Sequence, residues 1–204
     1  MIRVFSSFAL LTLALVSQAS AGFELQIGPR GGAPSNTFSF DTGDTLAVTL
    51  QMDVFLVENT NTSFTLQNAL FNMVRTGGAV PTVSNVARSF GFGGDTSGGS
   101  DPTWTFVNFL GSQNSLSSGG LAYVKVGQFD VLPFQAFGPD STFAFQANNP
   151  TAQQFTINGA NVSTANQATL FSNSQSFVVS VPEPGMFGLG MVALGVVSLR
   201  RRRR

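Results

Sequence analysis

An all-β domain, an antiparallel β-sandwich of jelly-roll or cohesin-like type, is the fold this chain predicts, and three observations predict it. Apolar residues alternate at period two, as in Leu46, Val48, Leu50, Met52, Val54 and Leu56, which would share one face of a strand. Gly, Pro, Asn and Asp punctuate the short apolar runs, with no long helical periodicity between them. Phenylalanine, at 21 residues against one Tyr and one Trp, supplies large rings for a core, and no Cys is present to staple the chain instead.

Taken in order, residues 37–40 predict a short strand, and Asp41-Thr42-Gly43-Asp44 a turn before the alternating run 46–56. Further strands are expected at 64–74, 103–110, 121–126, 142–147, 155–157 and 176–181. Within them Phe143, Phe145 and Ala147 point one way, as do Phe177, Val179 and Val181. Trp104 stands in Thr103-Trp104-Thr105-Phe106, where alternation predicts a core or edge position rather than an exposed platform. Residues 91–102, rich in Gly and Ser and ending in Asp101-Pro102, predict a loop.

Composition narrows the function classes. Charged residues make up 10% of the 204-residue chain, against about 25% in average soluble proteins. Between Gly22 and Val181 four bases (Arg30, Arg75, Arg88, Lys125) face nine acids, a net charge of −5. An acidic, Lys-poor body offers no electrostatic footprint for nucleic acid. The absence of both His and Cys excludes Cys–His and Ser–His–Asp catalysis and removes the usual ligands of zinc, copper and haem. No cofactor is expected, and the chain predicts a non-enzymatic protein. Glu24, Glu58 and the Asp residues form no pair that commits to acid–base chemistry. Asp95 and Asp101 are the weak calcium candidates, as oxygen donors in the Gly-rich loop, although their spacing is not that of an EF-hand.

The two ends predict routing. Met1-Ile2-Arg3, the largely apolar run 4–16 and the small-residue end Ala19-Ser20-Ala21 have the three parts of a secretory signal peptide, with cleavage expected after Ala21. At the other end Val181, Pro182, Glu183 and Pro184 precede an uncharged stretch, 185–199, and then Arg200, Arg201, Arg202, Arg203 and Arg204. The prolines hold Glu183 in an extended segment. Fifteen helical residues cover about 22 Å, short for a hydrocarbon layer about 30 Å thick. The arginines stop transfer and set the tail end on the cytoplasmic side. Gly185, Gly188, Gly190 and Gly195 would allow close helix approach. The expected organisation is a signal peptide (1–21), an extracellular β-sandwich domain (22–180) and a sorting tail (181–204) containing a short transmembrane helix (185–199).

That tail resembles the PEP-CTERM sorting signal of Gram-negative-type bacteria, the substrate of a membrane processing enzyme called exosortase. The resemblance covers about the last eighth of the chain and carries recognition onto Pro182, Glu183 and Pro184. It implies export across the inner membrane, a transient hold in the membrane, and release at the cell surface or into the matrix, in association with exopolysaccharide or biofilm. The middle of the chain is loosely similar to cohesin-like and carbohydrate-binding-like sandwiches, through Phe38 to Val48 and through Leu121 to Val126 followed by Gln128 to Val131.

The expected function is therefore a non-enzymatic, exosortase-sorted surface or matrix protein. One alternative is a polysaccharide- or ice-binding module, for which Trp104 and Tyr123 are the available stacking rings and Thr60-Asn61-Thr62 and Thr103-Trp104-Thr105 the only Thr-x-Thr triplets. Another is a single-pass anchored protein whose tail is never processed. Asn61 and Asn161 head glycosylation-like triplets that a chain rich in Asn, Ser and Thr produces by chance.

Overall fold

The computed structural model describes residues 22–35, 49–78, 82–88, 98–108, 111–132, 140–174 and 176–179. The expected signal peptide with Ala19 and Ala21, the strand at 37–40 with its Asp41–Asp44 turn, Asp95, and the tail from Val181 to Arg204 lie outside the described residues. The described part is all-β with one helix, and every strand pair in it is antiparallel.

One sheet has five strands. Strand β1 (Phe23–Pro29) pairs along its whole length with β2 (Leu50–Glu58), which pairs in turn with β9 (Leu121–Val131). The far side of β9 carries β4 (Val83–Arg88) at one end and β8 (Leu116–Ser118) at the other. The second sheet is organised about β3 (Thr65–Arg75). On one edge of β3 lie β6 (Thr103–Asn108) and β7 (Gln113–Asn114); on the other lie β10 (Ser141–Gln146) and β11 (Phe155–Ile157). Three short outer strands complete it: β5 (Gly98–Ser100) on β6, β12 (Ala160–Asn161) on β11 and β13 (Phe177–Val179) on β10.

Alternation sends one side of each sheet into a common core. Leu25 and Ile27, then Met52, Val54 and Leu56, then Val124, Val126, Phe129 and Val131 enter it from the first sheet. Leu66, Phe71, Met73, Trp104, Phe106, Phe143, Phe145, Phe155 and Phe177 enter it from the second. Phe71 stacks on Phe106 at 4.9 Å, and Phe177 stacks on Phe143 at 5.0 Å. Phe129 of β9 lies 5.8 Å from Phe177 of β13, so the aromatic chain crosses from one sheet to the other. Trp104 is 3% exposed and lies 5.9 Å from Phe143, a core residue as the alternation around it predicts.

The helix α1 (Thr164–Asn173) was not expected from the sequence. Its composition, Thr-Ala-Asn-Gln-Ala-Thr-Leu-Phe-Ser-Asn, has two large apolar residues and no charged pair to mark a face. Tertiary contacts hold it instead. Leu170 and Gln167 are buried, and the Gln167 Oε1 accepts the Gln154 N–H at 2.8 Å. Ser163 caps the start through its Oγ, which accepts the Asn166 N–H. At the other end Ser174 Oγ accepts the Leu25 N–H at 2.8 Å, so the helix terminus occupies part of the β1 edge that β2 leaves unpaired.

Strands β1 and β4 were also missed, and 121–126 with its expected continuation is one strand, β9, interrupted by a bulge. The register slips where Val54 faces Gly127 and Phe55 faces Lys125, leaving Val126 as the extra residue. Glycine is required there because a Cβ on residue 127 would strike the Phe106 ring. Gly127→Ala is expected to destabilise the fold by about 1–3 kcal/mol through overpacking, read as a lower urea midpoint. An unchanged midpoint would show that the two sheets separate freely at this point.

Candidate functional site

The side of the five-stranded sheet that faces away from the core is where charged residues collect. Asp53, between Met52 and Val54, has the parity that sends it to this face, as do Lys125 in β9 and Asp130 beyond the bulge. Asp53 and Asp130 are nevertheless 2% and 3% exposed. Buried carboxylates need partners, and Arg30, in the turn after β1, supplies them. Its Nη2 bonds Asp130 Oδ1 at 2.5 Å and the Phe129 carbonyl at 3.3 Å, and its Nε approaches Asp53 Oδ1 at 3.8 Å.

The network extends on both sides. Asp130 Oδ2 accepts from Asn85 Nδ2 at 2.6 Å. Asn85 sits in β4 with φ of 50°, a left-handed conformation that Asn tolerates, where the β4–β9 register is shifted. Asp53 Oδ2 accepts the Gly31 N–H at 2.9 Å and so fixes the turn. Lys125 Nζ lies 2.8 Å from Asp53 Oδ1 but out of line for a directed hydrogen bond, which makes that contact a Coulombic one. Lys125 Nζ also donates to Gln128 Oε1 at 3.3 Å. Two cations and two carboxylates thus balance, and the group is locally neutral.

A cleft of about 290 Å³ opens beside this network. Its walls include Gly31 and Gly32 on one side, Asp53, Phe55, Tyr123 and Lys125 along the sheet, and Gln113, Asn114 and Leu116 opposite. Leu116 faces Tyr123 across the β8–β9 ladder and is 65% exposed. Tyr123 is half-buried and meets the buried Phe55 ring edge-on at 5.5 Å. Gln113 brings an Oε1 that is shielded from solvent and lacks a hydrogen-bond partner. No family model, no curated protein and no solved structure matches this chain. The site therefore stands on its own geometry.

Other sequence candidates fall elsewhere. Asp101 is half-exposed and its carboxylate is ion-paired with the buried Arg75 guanidinium. Among the described residues no group of three or more His, Cys, Asp or Glu gathers to hold a metal ion. Glu58 is used locally: Oε2 accepts the N–H groups of Thr60 and Thr62 and Oε1 accepts the Thr60 hydroxyl, which closes the turn after β2. Glu24 lies opposite Val57, so its parity puts it on the other face of the sheet from Glu58, and the two acids share no cleft. Asn61 is a turn residue with φ of 58°, and Asn161 accepts from the Thr156 hydroxyl in an exposed strand. Among the described residues no helix is long and apolar enough to cross a membrane.

The cleft was not anticipated. The signal that points to it is a charge flanked on both sides by apolar residues: Met52-Asp53-Val54, Val124-Lys125-Val126 and Phe129-Asp130-Val131. Such charges lie on the off-core face of a strand, and opposite signs on neighbouring strands pair there.

Proposed function

We propose that this protein is an exported, non-enzymatic surface or extracellular-matrix protein whose β-sandwich domain is delivered by its two ends. The observation that carries the proposal is the order Val181-Pro182-Glu183-Pro184, fifteen uncharged residues, five arginines. A processing enzyme of the exosortase type is the partner, the membrane a transient one through residues 185–199, and exopolysaccharide the surrounding material. The domain fits that destination in its chemistry. It needs no disulfide because its sheets share a phenylalanine core, and its weakly charged Asn/Thr/Ser surface suits a hydrated polymer matrix.

The test is expression, with and without residues 181–204, in a bacterium that carries an exosortase, followed by fractionation and intact-mass measurement. Export is expected to remove residues 1–21, and the full chain is expected to lose the stretch after the Pro-Glu-Pro motif. Replacement of Pro182, Glu183 and Pro184 by alanine should leave a membrane-bound, full-tail species. A wild-type chain that keeps its tail in that host would reduce the protein to a plain single-pass anchored domain.

A further inference from the structure

We infer that the cleft between Tyr123, Leu116 and the Asp53–Lys125 pair binds a short stretch of uncharged saccharide. The inference takes its ligand class from the cell-surface proposal and its location from the cleft alone.

Four features of the cleft fit a pyranose ring and fit other small ligands less well. The first is an apolar wall. Leu116 is the most exposed large hydrophobic residue of the described chain, and it faces Tyr123 across two paired strands. A half-buried tyrosine ring beside an exposed leucine matches the C–H face of a sugar. Phe55 holds the Tyr123 ring by an edge contact, so the platform is pre-set rather than assembled on binding.

The second is the polar side. The Lys125 ammonium has three N–H donors; one is directed at Gln128 and the contact with Asp53 is Coulombic, which leaves donors for a ligand oxygen. A sugar hydroxyl oxygen can accept such an N–H. Gln113 lines the wall with its Oε1 shielded from solvent, so it shapes the cleft rather than meeting a ligand. The amide of Asn114 lies next along, its Oδ1 already engaged by the Thr65 hydroxyl, which fixes its orientation.

The third is charge. Arg30 and Lys125 are balanced by Asp53 and Asp130, so neither an anionic nor a cationic ligand gains a net Coulombic attraction. The fourth is size. At about 290 Å³ the cleft stands at the lower end of ligand sites, room for one or two sugar units of a chain that continues along the open rim. Trp104, the other ring available for stacking, is ruled out as the platform because it is buried in the core.

The experiment uses the full chain in a non-glycosidic detergent, titrated calorimetrically and by saturation-transfer NMR. The probes are cellotetraose, maltotetraose, a mannose tetramer and, as a charged control, a tetramer of galacturonic acid. At least one neutral tetramer is expected to bind, and the uronate tetramer to bind more weakly. Tyr123→Ala should weaken binding about tenfold or more, equivalent to about 1.4 kcal/mol, whereas Tyr123→Phe, which keeps the ring, should stay close to wild type. Leu116→Asp, on an exposed site that leaves folding intact, should weaken binding similarly. Absence of binding by every neutral tetramer, or binding untouched by both Tyr123→Ala and Leu116→Asp, overturns the proposal, as does preference for the uronate. Export and tail removal are scored separately in the same variants: an unprocessed tail refutes the sorting proposal and leaves the binding result to stand or fall by itself.

Discussion

Phe71→Ala is expected to cost the fold about 3–5 kcal/mol. Phe71 is fully buried at the centre of β3, the strand that carries both halves of the eight-stranded sheet. Its ring stacks on Phe106 at 4.9 Å, meets Phe145 edge-on at 5.7 Å and lies parallel to Phe155 at 6.3 Å, so three strands lose contact at once. The neighbours cannot relax inward without pulling β6, β10 and β11 out of register with β3, and the cavity stays open. A stability of about 5–15 kcal/mol is usual for a domain, so the variant should unfold at a much lower urea concentration with an unchanged slope. Phe71→Leu, which retains most of the volume, should lose clearly less. Equal losses for Ala and Leu would overturn the cavity argument, because the retained volume would then contribute nothing.

Arg30→Ala is expected to cost about 2–4 kcal/mol, since removal of one partner from a buried ion pair leaves an uncompensated charge. The figure stays below the upper range for such pairs because Arg30 is about a quarter exposed and because the carboxylates keep other partners. Asp130 retains Asn85, and Asp53 retains Lys125 and the Gly31 N–H. Arg30→Lys should recover only part of the loss, because an ammonium cannot reach Asp130, the Phe129 carbonyl and the flank of Asp53 from one position. A double-mutant cycle with Asp130→Asn separates the pair from the rest: the combined variant should lose less than the sum, with a coupling of about 1–3 kcal/mol. Strict additivity would show that the contact is incidental and that Arg30 acts by packing alone.

The two cases differ in how far they could be seen in the sequence. Phe71 and its neighbours are legible because alternation is a local property: Leu50, Met52, Val54 and Leu56 are predicted on one face and three of them are core residues, with Leu50 packed against them. Phe143, Phe145, Phe177 and Val179 follow the same rule. Trp104 too is placed correctly by the residues on either side of it. The Arg30–Asp130 contact spans 100 positions, and nothing local announces which acid a given base will meet.

The bulge at Gly127 hid the unity of β9, because one extra residue reverses the parity of everything after it. Helix α1 stayed invisible for the opposite reason. Its sequence is weak in every local signal, and it forms because Ser163 caps it and because Gln154 and Gln167 need each other once buried. The cleft combines both difficulties. Tyr123 and Leu116 are adjacent only through strand pairing, and Asp53 and Lys125 read as ordinary solvated charges until the Arg30 turn is laid over them.

Strand β13 has a mechanical consequence. It is an outer strand held to β10 by three register pairs, Ser141 with Val179, Thr142 with Val178 and Phe143 with Phe177, and residue 179 is its last. Tension applied at Val179 therefore enters the domain through this short ladder. A pull along the strand axis loads its hydrogen bonds in parallel and must also drag the Phe177 ring from between Phe143 and Phe129. A pull across the sheet opens the same bonds one after another. Direction of load, more than total stability, would decide whether the domain yields at its C-terminal edge.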